Sequence, residues 1–84
     1  MSESIVLALD VGAESGRVMA AAWDGRRIAL EELHRFANGP VAIADSLRWD
    51  VARLWQGLEE GLTLAARKHA RRITSAGVDT WGLD

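Results

Sequence analysis

The chain opens with an unbroken apolar run. Residues 5–9 are all apolar, and Asp10 follows them directly. A continuous run of this length is typical of a strand buried on both faces of a sheet, because a strand with one wet face alternates apolar and polar residues. We therefore predict a first strand over residues 5–9, with Asp10 at its carboxyl end.

Two further strands are predicted beyond this run. The extended apolar pattern resumes over residues 17–23, and Asp24-Gly25 is a strong two-residue hairpin signal before residues 27–36. The segment over residues 11–16 contains two glycines and small polar residues, which suit a tight turn. The chain is thus expected to begin with three antiparallel strands.

A single helix is predicted in the second half of the chain. Asn38-Gly39-Pro40 marks a turn, and the stretch from there to Leu47 is expected to have little regular structure. Asp50 then occupies the position of an N-cap. Apolar residues recur after it at steps of three and four: Val51, Leu54, Trp55, Leu58, Leu62, Ala65 and Ala66.

Four basic residues follow in or near the last helical turn: Arg67, Lys68, Arg71 and Arg72. Cations at this position complement the negative end of the helix dipole. A phosphate-binding role is the alternative interpretation.

The segment over residues 73–80 returns to extended character and is predicted to pair parallel to the first strand through a right-handed crossover. The expected fold class is α/β, in the order β-β-β-α-β. Such a sheet needs helices on both faces, and one helix leaves one face uncovered. With the sequence ending at Asp84, directly after a strand, this suggests a fragment of a larger domain.

Composition narrows the range of functions. The chain has 84 residues, enough for one domain at most, and its 49% hydrophobic and 26% charged residues are typical of a soluble globular protein. A net charge of -2 provides no basic surface for nucleic acid, and no cysteine is present. No apolar run approaches the roughly 20 residues of a membrane span. We expect a cytoplasmic protein without a nucleic-acid or membrane partner.

Residues 10–17 form the first segment with candidate chemistry. A turn of this kind directs backbone N–H groups at phosphate oxygens, while a carboxylate at the strand end suits magnesium and its waters. Arg17 adds positive charge for a transferring phosphate. The segment matches neither G-x-x-x-x-G-K-[ST] nor G-x-G-x-x-G. A glycine-containing hairpin with an exposed acid is the structural alternative.

The second segment lies at the end of the returning strand. Ligands of open α/β sheets bind beyond the carboxyl ends of parallel strands, so Asp10 and residues 81–84 should share one rim. Trp81 and Asp84 offer a ring face and a hydrogen-bond acceptor, which suit a polyhydroxylated sugar. Alternatively, Trp81 is a packing residue and Asp79 a cap or turn acid.

The remaining aromatic and imidazole side chains are assigned structural roles. Trp23, Trp49 and Trp55 are predicted to pack in the core or at its edge. His34 and His69 are interpreted as structural rather than as metal ligands, so neither enters the predicted chemistry.

Four segments resemble one known family. L-A-L-D-V-G-A-E-S-G-R-V-M at residues 7–19 is similar to the first phosphate motif of rhamnulokinases, FGGY carbohydrate kinases of the actin-like ATPase superfamily. H-R-F-A-N-G at residues 34–39 resembles their H-R-F-x-N-G segment. L-R-W-D at residues 47–50 resembles the W-D before their first helix, and G-V-D-T-W-G-L-D at residues 77–84 their G-[IV]-D-T-W-G-x-D. Glu14 stands where many members carry a small polar residue.

The resemblance implies an actin-like ATPase (ribonuclease H-like) fold, with residues 1–84 forming the N-terminal portion of kinase domain I. It implies transfer of the ATP γ-phosphoryl group to the 1-hydroxyl of L-rhamnulose, in rhamnose breakdown. Asp10 would help to hold Mg²⁺, and the ATP phosphates would be lined by Ala13, Glu14, Ser15, Gly16 and Arg17. Gly82 would contact the sugar, with Trp81 and Asp84 close by.

The family's general base is an aspartate far downstream, and its adenosine-binding residues lie in a second domain. The 84 residues alone are therefore expected to be inactive. Three alternatives stay open: another FGGY kinase of the xylulose or fuculose type, a non-catalytic nucleotide-binding fragment, and an actin-like assembly protein. The oligomeric state is left open.

Overall fold

The fold is a four-stranded mixed sheet with one helix on one face and a small hairpin beside it. A computed structural model describes residues 4–81. Its elements are β1 (Ser4–Val11), β2 (Ser15–Trp23), β3 (Ile28–Ala37), β4 (Pro40–Ile43), β5 (Ser46–Trp49), α1 (Val51–His69), a 3₁₀ turn (Ala70–Arg72) and β6 (Ile73–Thr80). The strand order is β3-β2-β1-β6. Strands β1, β2 and β3 pair antiparallel, and β6 pairs parallel to β1, which confirms the predicted α/β class.

The structure corrects the prediction made for residues 40–47. They were predicted to have little regular structure, but they form most of the antiparallel hairpin of β4 and β5, with Pro40 opposite Trp49. The turn contains Ala44 at a φ of 53°, and the Ser46 hydroxyl donates to the Ile43 carbonyl at 3.2 Å. The prediction missed this turn because alanine is not a residue that normally signals a positive φ.

Strand β1 also differs from its prediction, since only one of its faces is buried. Ile5 and Leu7 are 1% and 4% exposed, whereas Val6 between them is 39% exposed. Helix α1 covers the face that carries Ile5 and Leu7, and within residues 4–81 no second helix covers the other. The expectation that one face of the sheet is uncovered is therefore met within these residues. The prediction that β1 is buried on both faces was wrong.

The helix begins as predicted at Asp50, whose carboxylate accepts the backbone N–H of Arg53 at 3.0 Å. Its buried residues are Gly57, Gly61 and Ala65, which are spaced by four and so lie on one face. A Cβ added to Gly61 would overlap Val18 of β2, reaching 2.6 Å from the Val18 Cβ. The helix backbone therefore rests almost directly on the sheet.

The glycine face of α1 explains why Trp55 lies outside the core. Trp55 is 59% exposed because it lies two residues from Gly57, on the side of the helix turned from the sheet. Trp23, at the end of β2, is 44% exposed. Neither tryptophan lies in the core, which was one of the two locations predicted for them.

We expect Gly61→Ala to destabilise the chain. The added methyl group overlaps Val18, which is fully buried, and overpacking costs about 1–3 kcal/mol. Alanine's higher helix propensity offsets about 1 kcal/mol of this. Urea unfolding followed by circular dichroism measures the difference.

Gly77→Ala in β6 is the matched control, because an added Cβ there meets no atom within 4 Å. It should leave the unfolding midpoint nearly unchanged. A Gly61→Ala chain as stable as the wild type would contradict the close packing of α1 on β2.

Candidate functional site

The parallel pairing of β1 with β6 places two strand ends side by side. Asp10 is aligned with Asp79, and Val11 with Thr80. Trp81 follows the end of β6 directly. The structure thus brings Asp10 and Trp81 to one edge of the sheet, whereas Gly82 and Asp84, also assigned to this edge, lie outside the described residues.

Asp10 and Asp79 form a pair of carboxyl groups at aligned positions of β1 and β6. The hydrogen bond with Asp79 and the guanidinium of Arg17 lower the pKa of Asp10. The same hydrogen bond raises the pKa of Asp79, and partial desolvation and the negative charge of Asp10 raise it further. Because the two directions are opposite, Asp79 takes up a proton before Asp10 does as pH falls.

Arg17 completes this cluster from the neighbouring strand. It lies opposite Asp10 in the β1–β2 register, and its Nε donates to Asp10 Oδ2 at 3.0 Å, with Nη2 donating to the same oxygen. Both side chains are partly exposed, at 39% for Arg17 and 28% for Asp10. The cluster lies on the face of the sheet opposite α1, because Leu9 and Val11, on either side of Asp10, are buried on the helix side.

The turn over residues 12–15 is short and tightly closed. The Gly12 N–H donates to the Ser15 carbonyl at 2.9 Å, and a Cβ on Gly12 would lie only 2.8 Å from that oxygen. Ala13 and Glu14 are exposed at the tip, and Ser15 is half-buried. With Arg17, four of the five predicted phosphate-binding residues are therefore at least partly accessible.

Gly16 has a different environment from the tip of the turn. It is buried, and a Cβ added there would lie 2.6 Å from Cε2 of Phe36. Its lack of a side chain allows the Phe36 ring to pack at the start of β2.

Asn38 is a residue of this site that the sequence did not reveal. Its side-chain Nδ2 donates to the Gly12 carbonyl at 2.8 Å, and its backbone N–H donates to the Glu14 carbonyl at 2.9 Å. In the sequence it was interpreted only as part of the Asn38-Gly39-Pro40 turn. A signal existed in the H-R-F-A-N-G segment at residues 34–39, but sequence spacing alone does not indicate what Asn38 contacts.

An aromatic pair stands beside the acidic cluster. The rings of Trp49 and Trp81 have centroids 4.5 Å apart and are tilted by 43°. Trp49 ends β5, and it was predicted as a packing residue. Its actual neighbour is the tryptophan that the sequence assigned to the sugar.

The histidines lie elsewhere. His34 Nε2 is 3.2 Å from Glu60 Oε2, and His69 Nε2 is 3.1 Å from Glu31 Oε1. Over residues 4–81, no three histidine or acidic side chains cluster as metal ligands. No helix in that range is long and apolar enough to cross a membrane.

Comparison with known proteins finds the same similarity as the motifs. Over 78 residues the chain is 38% identical to a rhamnulokinase of Oceanobacillus iheyensis, over 81 residues 41% identical to one of Mannheimia succiniciproducens, and over 77 residues 36% identical to one of Bacteroides thetaiotaomicron. These alignments cover 92–94% of the chain. No protein-family model matches it.

The chain spans only 16–17% of the length of these curated relatives. The predicted resemblance to rhamnulokinases is confirmed across nearly all of the chain, and it supports a segment of a carbohydrate kinase.

We expect Asp79→Asn to become more stabilising, relative to the wild type, as pH rises. A folded-state pKa raised above 3.8 means that the wild-type pair is most favourable when Asp79 is protonated, and that this contribution is lost as pH rises through the raised value. Asparagine keeps an N–H donor for Asp10 at every pH. Urea unfolding from below pH 3.8 to neutral pH measures the widening difference in unfolding free energy.

The control variant is Asp45→Asn, which removes an exposed carboxylate from the β4–β5 turn. The difference in unfolding free energy from the wild type should widen with pH for Asp79→Asn and not for Asp45→Asn. A difference in unfolding free energy that stays constant or narrows as pH rises would contradict the raised pKa of Asp79.

Proposed function

We propose that the chain is the N-terminal part of domain I of an FGGY carbohydrate kinase, which transfers the γ-phosphoryl group of ATP to the 1-hydroxyl of L-rhamnulose. The observation that carries this proposal is the parallel β1–β6 register, which joins an acidic glycine turn to Trp81 at one edge of the sheet. The similarity to rhamnulokinases over nearly the whole chain supports the same conclusion. The general base and adenosine site would lie in further segments, since the relatives are about six times as long as the chain.

The turn over residues 12–15 and the start of β2 would bind the ATP phosphates. The proposed contacts are Ala13, Glu14, Ser15, Gly16 and Arg17. The exposed tip is accessible to a polyphosphate, and the guanidinium of Arg17 would offset charge on the group in transfer. Phosphoryl transfer depends mainly on positioning and charge neutralisation, which are the two properties that a tight turn and an arginine supply.

Magnesium fits the acidic pair. Mg²⁺ prefers one or two carboxylates and keeps several waters, and Asp10 and Asp79 supply two carboxyl groups at adjacent strand ends. We assign Asp10 to this role, with Asp79 beside it. When bound, the ion would neutralise phosphate charge next to Arg17.

The sugar would lie against Trp81, with Gly82 and Asp84 as further contacts. The Trp49 ring supports Trp81 at 4.5 Å and so limits the orientations of the indole. A fixed ring face next to hydrogen-bonding groups suits a ketose, which has apolar C–H groups on one side and hydroxyls on others.

The test uses the longest open reading frame that contains these residues. We expect its product to phosphorylate L-rhamnulose in the presence of ATP and Mg²⁺. Asp10→Asn should lower kcat by roughly 100-fold or more, because it removes charge that organises the phosphates. Asp45→Asn, on the exposed β4–β5 turn, should leave kcat unchanged.

The substrate panel decides between the alternatives. Phosphorylation of xylulose or fuculose but not of L-rhamnulose would assign the protein to a sibling branch of the family. Nucleotide binding without phosphorylation of any ketose would indicate a non-catalytic product.

A further inference from the structure

We propose that Asn38 is a positioning residue, which sets the orientation of the phosphate turn (residues 12–15) from outside that turn. This inference rests on the proposed function, because it assigns a task to the turn that would bind ATP. It identifies a residue 26 positions away from Gly12 in sequence as part of the phosphate-binding apparatus.

Asn38 holds the turn at two points. Its side-chain Nδ2 donates to the Gly12 carbonyl at 2.8 Å, and its backbone N–H donates to the Glu14 carbonyl at 2.9 Å. A carbonyl oxygen only accepts hydrogen bonds, so the nitrogen of the side-chain amide must face Gly12. An aspartate of the same shape lacks this donor.

These two bonds determine more than the directions of two carbonyls. A peptide unit is planar and trans, so the C=O of one residue and the N–H of the next point in opposite directions. Fixing the Gly12 carbonyl toward Asn38 therefore turns the N–H of Ala13 away from Asn38. Fixing the Glu14 carbonyl does the same for the N–H of Ser15.

Asn38 thus orients two N–H groups in the segment proposed to contact ATP. Successive N–H groups held in fixed directions are what make a turn into an anion-binding site. Without the clamp, the hydrogen bond from the Gly12 N–H to the Ser15 carbonyl still closes the turn, but it does not involve the carbonyl of the peptide unit between Gly12 and Ala13.

The end of β3 that carries Asn38 is closely packed. Phe36, two residues earlier, packs its ring against Gly16 of β2 and Gly57 of α1, and a Cβ on either glycine would lie 2.6 Å from ring carbons. The end of β3 is therefore held between the exit of the turn and the helix. This accounts for the H-R-F-A-N-G segment as one unit, in which Phe36 anchors and Asn38 clamps.

The same connection leads toward the proposed sugar site. Two residues after Asn38 the chain enters β4 at Pro40, which pairs with Trp49 of β5. Trp49 contacts Trp81. One short stretch of chain thus holds the phosphate turn at one end and supports the aromatic pair at the other.

The test compares Asn38→Asp and Asn38→Ala in the longest product of the gene. Both remove the side-chain donor, and only the first adds a charge. We expect kcat/KM for ATP to fall roughly 10- to 100-fold in both variants, because misplaced binding groups cost that much. The KM for the sugar should stay within about twofold, and amide hydrogen exchange over residues 12–16 should accelerate.

Gly39→Ala is the matched control in the same turn, since an added Cβ there meets no atom within 4 Å. It should leave both ATP kinetics and hydrogen exchange unchanged.

Three outcomes would overturn the inference. Hydrogen exchange over residues 12–16 that is unchanged in Asn38→Ala would show that the side chain does not hold the turn. Faster exchange with unchanged ATP kinetics would show that the orientation is not needed. Equal losses for ATP and sugar, together with a lower Tm, would reduce Asn38 to a residue needed only for folding.

The experiment distinguishes a failure of the proposed function from a failure of this inference. If the wild-type product phosphorylates no ketose, the kinase proposal is lost, while hydrogen exchange in Asn38→Ala still decides whether the clamp exists.

Discussion

The parallel pairing of β1 with β6 is the contact on which the rest of the structure depends. A parallel pair requires a crossover connection, and α1 supplies it. The helix lies close against the sheet because Gly57 and Gly61 face it. The in-register return of β6 then aligns Asp79 with Asp10, and no local preference of either segment would create that pair.

Charge at this edge is balanced within the sheet itself. Two carboxyl groups brought together by strand register repel one another unless one keeps its proton or a cation intervenes. Here the pKa of Asp79 is raised and Arg17 supplies the cation, from the strands on opposite sides of Asp10. In the function proposed above, a divalent ion beside the carboxyl pair would take over part of the charge compensation that Arg17 gives Asp10.

Much of the fold could be predicted from local signals. The hairpin at Asp24-Gly25, the cap at Asp50 and the strand over residues 73–80 all appear where the sequence indicated them. The predictions that were wrong share a cause, because each feature lacked the residue type that usually signals it. The turn at Ala44 carries no glycine, and the buried face of α1 is centred on glycines that a hydrophobic pattern does not count.

The residues of the candidate site also fall into those that the sequence identified and those that only the fold identified. The sequence indicated the turn beyond Asp10 and the tryptophan after β6, since each stands at a strand end that chemistry and motif both mark. For Asp79 it offered only a cap or turn role, and for Asn38 only a place in a turn, because their partners are 69 and 26 residues away. A sequence motif identifies residues but not their contacts. The role of Asp79 follows from strand register, and that of Asn38 from the planar geometry of the peptide unit. Their assignment therefore had to wait for the fold, even though both residues stand inside motifs that were visible from the start.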